Sequence, residues 1–188
     1  MTEVKILIPG YISADSITED QGEKTCATIT LVKTGNMNIV CDPGVIEDQS
    51  VILEKLKAEG LERDDIDIVF LTHSHIDHYR NIGMFPQAKT LEYYGFWEKS
   101  MVKNWKENFA EGIRIIKTPG HSNDSLTMLV KTNEGVVAIC GDVFWKENYP
   151  DYDEYAVDMK TLKESRKLVF KEADFVIPGH GEKFKVKK

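Results

Sequence analysis

Cysteine is scarce in this chain. Three occur in 188 residues, Cys26, Cys41 and Cys140, and no two share a CxxC spacing. That argues against a disulfide framework and leaves each thiol to pack as a small core side chain. Long apolar runs are missing too, and no stretch approaches the roughly 20 residues that span a bilayer. The opening Met1-Thr2-Glu3-Val4-Lys5-Ile6-Leu7-Ile8 meets Pro9-Gly10 before a secretory apolar region can develop. The expected compartment is the cytoplasm, with no membrane partner. Positive charge is short as well: 24 Lys and Arg face 31 Asp and Glu, a formal net charge of −7. An extended nucleic-acid or anionic-membrane surface needs clustered cations, so neither is expected. A nucleic-acid substrate stays open, because a bound metal reverses the local field. What is present suffices for a core, with 41% hydrophobic residues and a length that fits one domain over residues 1–188.

Histidine is sparse, and its placement is informative. The five are His73, His75, His78, His121 and His180. Three of them lie in His73-Ser74-His75-Ile76-Asp77-His78, directly after the apolar run Ile68-Val69-Phe70-Leu71. Such a density of imidazole and carboxylate suits zinc or another borderline transition metal. The bland alternative is a polar surface turn with chance histidines, and the ligand candidates later in the chain weigh against it. All five histidines fall at or just past the end of an expected strand, none on an amphipathic helix face. Asp42, Asp77 and Asp142 occupy comparable loop positions. Seven of these eight side chains can build two metal sites.

Residues 4–8 read as a strand stopped by Pro9-Gly10. Residues 11–24 are polar and acidic, a loop that is either a solvated connector or a neighbour of the site. Strand-like runs at 25–33 and 37–41, joined by Gly35-Asn36, read as a hairpin. Asp48 is placed to cap a helix over 49–59, with Gly60 as its C′ residue. Residues 66–71 form a nearly continuous apolar strand, as expected inside a layered α/β domain. A helix over 99–110 is one reading of the less legible middle. Its aromatics, Tyr93, Tyr94, Phe96, Trp97, Trp105 and Phe109, suit the core better than a ligand platform. Residues 113–117 form a strand, and 126–131 with 136–140 a second hairpin that runs into Gly141-Asp142. Phe144, Trp145, Tyr149, Tyr152 and Tyr155 decorate an acidic loop. Asp158 can cap a helix over 159–172, and 173–177 is a strand ended by Pro178-Gly179-His180-Gly181. A repeat emerges: hairpin, Asp42, helix, strand, His73 is matched by hairpin, Asp142, helix, strand, His180. Two packed sheets with helices outside would satisfy it.

In these motifs the chain resembles the metallo-β-lactamase fold superfamily of metal-dependent hydrolases. Thr72-His73-Ser74-His75-Ile76-Asp77-His78 resembles its HxHxDH motif, and Thr118-Pro119-Gly120-His121-Ser122 its next ligand motif. Gly141-Asp142 and Pro178-Gly179-His180-Gly181 resemble the last two, and Cys41-Asp42-Pro43-Gly44 an upstream element. The motifs stand in the family's order and cover nearly the whole chain. The resemblance implies a four-layer αββα sandwich of two mixed sheets flanked by helices. It implies two divalent metal ions, zinc first, with iron or manganese open. One would sit on His73, His75 and His121, the other on Asp77, His78 and His180, with Asp142 bridging. Asp42 would orient a ligand rather than bind metal, since ligating imidazoles need a partner on the other ring nitrogen. A metal-bridging hydroxide would attack an ester, thioester, lactone, lactam or phosphodiester. Asp77 would be the catalytic residue that also holds or accepts the nucleophile's proton.

Departures within the family narrow the branch. A bridging carboxylate at Asp142 resembles the lactonase, glyoxalase II and phosphodiesterase type of site rather than class B β-lactamases. Only eight residues follow His180, so the C-terminal helical domain of glyoxalase II is not expected. No inserted nuclease domain fits between Asp142 and His180, and His75 stands where flavodiiron proteins carry Glu. The chain is most similar to short single-domain members of the superfamily. That similarity keeps open a short single-stranded RNA substrate beside a small molecule, and a homodimer. An iron-dependent persulfide dioxygenase is the alternative outside hydrolysis. Substrate-binding residues stay unassigned; loop 11–24 and the aromatic regions 93–109 and 144–155 are expected to shape the pocket. Trp145 suits either a stacking role in the cleft or the core.

Overall fold

Apolar side chains that alternate along a strand can feed two cores at once, and this chain does so on two sheets. A computed structural model describes residues 2–13, 22–148 and 151–187. The chain opens with β1 (Glu3–Ile8), β2 (Tyr11–Ile12), β3 (Thr25–Cys26), β4 (Ile29–Lys33) and β5 (Asn38–Cys41). Helix α1 (Ser50–Ala58) leads to β6 (Ile68–Phe70), which delivers the histidine-rich loop and the short α2 (Ile76–Tyr79). β7 (Lys89–Glu92), β8 (Gly95–Glu98) and β9 (Met101–Lys103) complete a sheet of order β1-β4-β5-β6-β7-β8-β9. The second sheet takes β10 (Asn108–Ala110), β11 (Ile113–Lys117), β12 (Leu126–Thr132) and β13 (Gly135–Ile139), then, after α3 (Met159–Glu172), β14 (Phe175–Ile177) and β15 (Phe184–Lys185), all in sequence order. β2 and β3 form a small ribbon of their own. Both large sheets are mixed: β5–β6, β6–β7 and β13–β14 are parallel pairs among antiparallel ones.

Burial follows the two-residue period of a strand. Ile39, Cys41, Ile68 and Phe70 of the first sheet meet Met128, Val130, Val137 and Ile139 of the second in one shared core. The alternates Val40 and Val69 pack outward with Ile52 and Leu56 of α1. Leu129, Ala138 and Val176 do the same with Leu162 and Val169 of α3. Strands buried on both faces read as near-continuous apolar runs, which is why 66–71 looked as it did. The expected order of helix, sheet, sheet, helix is the one observed, and all three cysteines are buried free thiols. Asp158 caps α3 as anticipated, its Oδ1 accepting from the backbone N–H groups of Lys160 and Thr161. Gly60 ends α1 in the left-handed region at φ 76°. No described helix is long and apolar enough to cross a membrane.

The helix expected over 99–110 is not there. Lys99 adopts a left-handed φ of 55° and reverses the chain, so that Met101–Lys103 pairs with β8 as an exposed edge strand. Asn108–Ala110 joins the other sheet instead. Packing decides it: Phe96 and Phe109 meet at 5.6 Å between ring centroids, and the Trp105 indole donates to the Tyr93 carbonyl at 3.2 Å. Tertiary contact of this kind overrides a weak local helix preference. The repeat holds in three dimensions. Antiparallel β4–β5, then α1, then parallel β6 is matched by antiparallel β12–β13, then α3, then parallel β14.

Candidate metal centre

The site is assembled from strand ends, and five of the seven ligand candidates are gripped from outside. Asp42 follows β5 with a left-handed φ of 48°, a conformation Asp adopts more readily than most residues. Its Oδ1 accepts from the Thr72 backbone N–H at 2.8 Å and its Oδ2 from the Thr72 hydroxyl at 2.7 Å. His78 Nδ1 lies 2.9 Å from the same Oδ2, which turns its Nε2 inward. His73 Nδ1 is 3.1 Å from Thr72 Oγ1, His121 Nδ1 is 2.8 Å from Asp153 Oδ2, and His180 Nδ1 is 3.0 Å from the Cys26 carbonyl. Thr25 Oγ1 donates to Asp77 Oδ2 at 2.6 Å. Outer partners of this kind fix ring orientation and tautomer in metal sites.

The inward atoms fall into two sets. Ligand atoms of His73, His75, His121 and Asp142 lie within 4.8 Å of one another, and so do those of Asp77, His78 and His180. Asp142 stands between them. Its Oδ2 is 3.3 Å from His121 Nε2 and 4.0 Å from His73 Nε2. Its Oδ1 is 3.3 Å from His78 Nε2 and 3.2 Å from His180 Nε2. His75 Nδ1 is 3.1 Å from His121 Nε2. Tetrahedral coordination with metal–nitrogen bonds of about 2.0–2.1 Å separates neighbouring ligand atoms by about 3.3–3.4 Å. His73 Nε2, His78 Nε2 and Asp142 Oδ1 are buried and make no hydrogen bond. Protein interiors rarely leave polar atoms so, and three at one point fit a donor set shaped for cations. The residues present therefore suit two divalent ions that share Asp142.

The charges in the metal-free site are uneven. Burial pushes His73 well below the ordinary imidazole range, and neighbouring His78 pushes the same way. Burial and then His121 lower His75 as well. Burial opposes charge on His78, but Asp142 and then Asp42 outweigh it and raise His78 well above that range. His180 is raised against its burial by Asp142. Asp142, which burial alone would keep neutral, is held well below the carboxylate range by His180 and His78. An imidazole must be bare to bind metal. Burial thus favours bare His73 and His75, whereas Asp142 favours the protonated forms of His78 and His180. Loading the second set is therefore expected to release protons at neutral pH and to weaken as pH falls. Stepwise metal titration of metal-free protein in a weakly buffered indicator reads this; a complete lack of proton release over the whole titration would contradict it.

The structure brings all seven ligand candidates together and places Asp42 behind His78. Asp153 is a positioning residue that sequence reasoning missed. It is 1% exposed, and its other oxygen accepts from the Tyr155 backbone N–H at 2.9 Å. Nothing local marks it among the acids of its loop. Thr25 and Thr72 escaped notice for the same reason. A cavity of about 480 Å³ opens beside the ligands, walled by Ile12, Glu23, Thr25, Tyr79, Trp145 and Tyr155. The loops 11–24 and 144–155 thus contribute through their described residues; 14–21 and Tyr149 lie outside the described residues. The region 93–109 does not line this cavity, contrary to expectation; Tyr93, Phe96, Trp105 and Phe109 pack over the core instead. Trp145 is buried at 3% exposure and also forms part of the wall.

Comparison with known proteins agrees with this geometry. The sequence profile of the metallo-beta-lactamase superfamily matches residues 27–108. Metallo-beta-lactamase domain-containing protein 1 of Xenopus laevis is 28% identical over 97% of this chain and 81% of its own length. A protein of Methanocaldococcus jannaschii named as a probable metallo-hydrolase is 30% identical over 76% of this chain and 70% of its own. In three dimensions, a candidate metallo-beta-lactamase from Thermotoga maritima superposes with a TM-score of 0.78 at 23% identity, covering 98% of this chain and 99% of that one. This chain belongs to the metallo-β-lactamase superfamily and is one of its metal-dependent hydrolases.

Proposed function

We propose that the chain hydrolyses a small acyl substrate, an ester, thioester, lactone or lactam, with two divalent cations of which zinc is the first choice. The carrying observation is the position of Asp142 between the two histidine sets, its Oδ2 3.3 Å from both His121 and His180 Nε2 and its Oδ1 3.3 and 3.2 Å from His78 and His180 Nε2. His73, His75 and His121 would hold one ion; Asp77, His78 and His180 the other. When bound, such a pair supplies Lewis acidity and a water ionised near neutral pH. The chain supplies the rest. Asp142 sets the separation of the two sets, and Asp77, steadied by Thr25, holds or accepts the nucleophile's proton. Exposed Ser74, His75 and Ile76 leave the site open on one side, and Trp145 and Tyr155 give the approach apolar walls. An acyl centre is favoured over a phosphodiester because no Lys or Arg lies among the described residues that line the cavity, and phosphate contacts need them.

Protein prepared without chelator is expected to carry about two zinc ions per chain and to lose turnover when they are removed. A panel of a chromogenic lactam, a thioester, a lactone and single-stranded RNA tests the substrate class. Metal-dependent cleavage of the RNA alone would replace this reading by an endoribonuclease. A single iron, with oxygen consumed on a persulfide, would replace it by an oxygenase.

A further inference from the structure

We infer that the cavity beside the metal centre selects acyl substrates that carry a protonated amine, and that Glu23 recognises the cation. The inference rests on the hydrolytic reading above and narrows its substrate. Three carboxylates reach the cavity, Glu23, Asp77 and Asp142, against no Lys or Arg among its described lining residues. Asp77 and Asp142 belong to the ligand sets, which leaves Glu23 for another partner. Its Oε2 accepts from the Tyr155 hydroxyl at 3.1 Å. Its Oε1 is buried and accepts from no donor among the described residues. A buried carboxylate oxygen without a donor is costly, and a charged N–H donor satisfies it better than a neutral one.

The surroundings favour the same ligand. The Tyr155 ring that Glu23 holds is stacked on Trp145, with centroids 5.6 Å apart and planes at 28°. An aromatic wall next to a carboxylate attracts a cation through the ring faces as well as the charge. The volume, about 480 Å³, lies in the range of small-molecule sites. A substrate with a carboxylate or phosphate in place of the amine would meet Glu23 with like charge. The adjoining groove does not reverse this field, since its Lys24 and Arg80 are countered by Glu47 and Asp48.

Calorimetric titration of the metal-free protein with 2-phenylethylamine, 2-phenylethanol and 3-phenylpropanoate tests recognition apart from catalysis. The amine is expected to bind at least about tenfold more tightly than the alcohol, as for a charge-assisted contact, and the carboxylate most weakly. Glu23→Gln should abolish the preference and leave the affinity for the alcohol unchanged. Equal affinities for amine and alcohol, or an unchanged preference in the variant, would overturn the inference. The metal-loaded protein is then given an aminoacyl ester and its uncharged analogue. Glu23-dependent binding of the amine without hydrolysis of either ester keeps the recognition and removes the hydrolytic reading. Hydrolysis of both esters at equal rates, without selective amine binding, does the reverse.

Discussion

Asp142→Ala is expected to lower kcat/KM for metal-dependent turnover by ~1,000-fold and to leave the protein short of one bound ion. The magnitude follows from removing a group that stabilises charge at the reacting centre, an effect of about 10²–10³ by itself. Loss of the shared ligand comes on top of that. Asp142 reaches ligand atoms of both sets, so the substitution thins both shells at once. It also strips the metal-free site of the carboxylate that does most to raise His78 and His180 against their burial. His78 then keeps only Asp42 and His180 only Asp77 as counter-charge, and burial weighs more heavily toward their neutral forms. Proton release on metal loading should shrink accordingly. Metal content by plasma spectrometry and steady-state kinetics read the two effects separately. Unchanged turnover with full metal content would show that Asp142 does not link the two sets.

The second large effect is expected at a residue that binds nothing. Gly179→Ala would place a methyl carbon 1.8 Å from Asp142 Oδ1 and 3.1 Å from the Gly141 carbonyl carbon. The backbone cannot retreat. Gly179 N–H donates to the Phe144 carbonyl at 2.9 Å, and the Gly179 carbonyl accepts from Thr28 N–H at 2.6 Å. The carboxylate must swing away instead, so the variant should lose metal affinity by about 10–100-fold, the usual scale for disturbing a ligand's support. Overpacking should destabilise the fold by about 1–3 kcal/mol as well. Gly35→Ala, with nothing within 4 Å of the added carbon, is the matched control. A Gly179→Ala protein that keeps full metal content and activity would mean that Asp142 has room that these distances deny it.

The ligands could be read in the sequence because they are bound to local signals. Four of them occur within six residues, and the others follow strand-ending turns such as Thr118-Pro119-Gly120 and Pro178-Gly179. The layers were legible because strands buried on both faces leave uninterrupted apolar runs. What could not be read is what long-range contact decides. Asp153 meets His121 across 32 positions and Thr25 meets Asp77 across 52, and neither residue differs locally from its polar neighbours. The stretch 99–110 misled for a related reason. Its spacing of Trp105 and Phe109 fits a helical face, yet those rings are claimed separately by Tyr93 and Phe96.

The centre also lies across the seam of the sandwich. His73, His75, Asp77 and His78 come from the loop after β6 of the first sheet, His121, Asp142 and His180 from loops of the second. Backbone bonds sew the same line, from Leu126 N–H to the Thr72 carbonyl at 2.7 Å and from Thr28 N–H to that of Gly179. Metal ions seated there would act as rivets between two half-shells. The sheets could not part without breaking coordination, although ions could still leave through the open side while the sheets stay shut. Metal binding would thus add to the cost of opening the seam, and the loaded protein should unfold more slowly than the metal-free one.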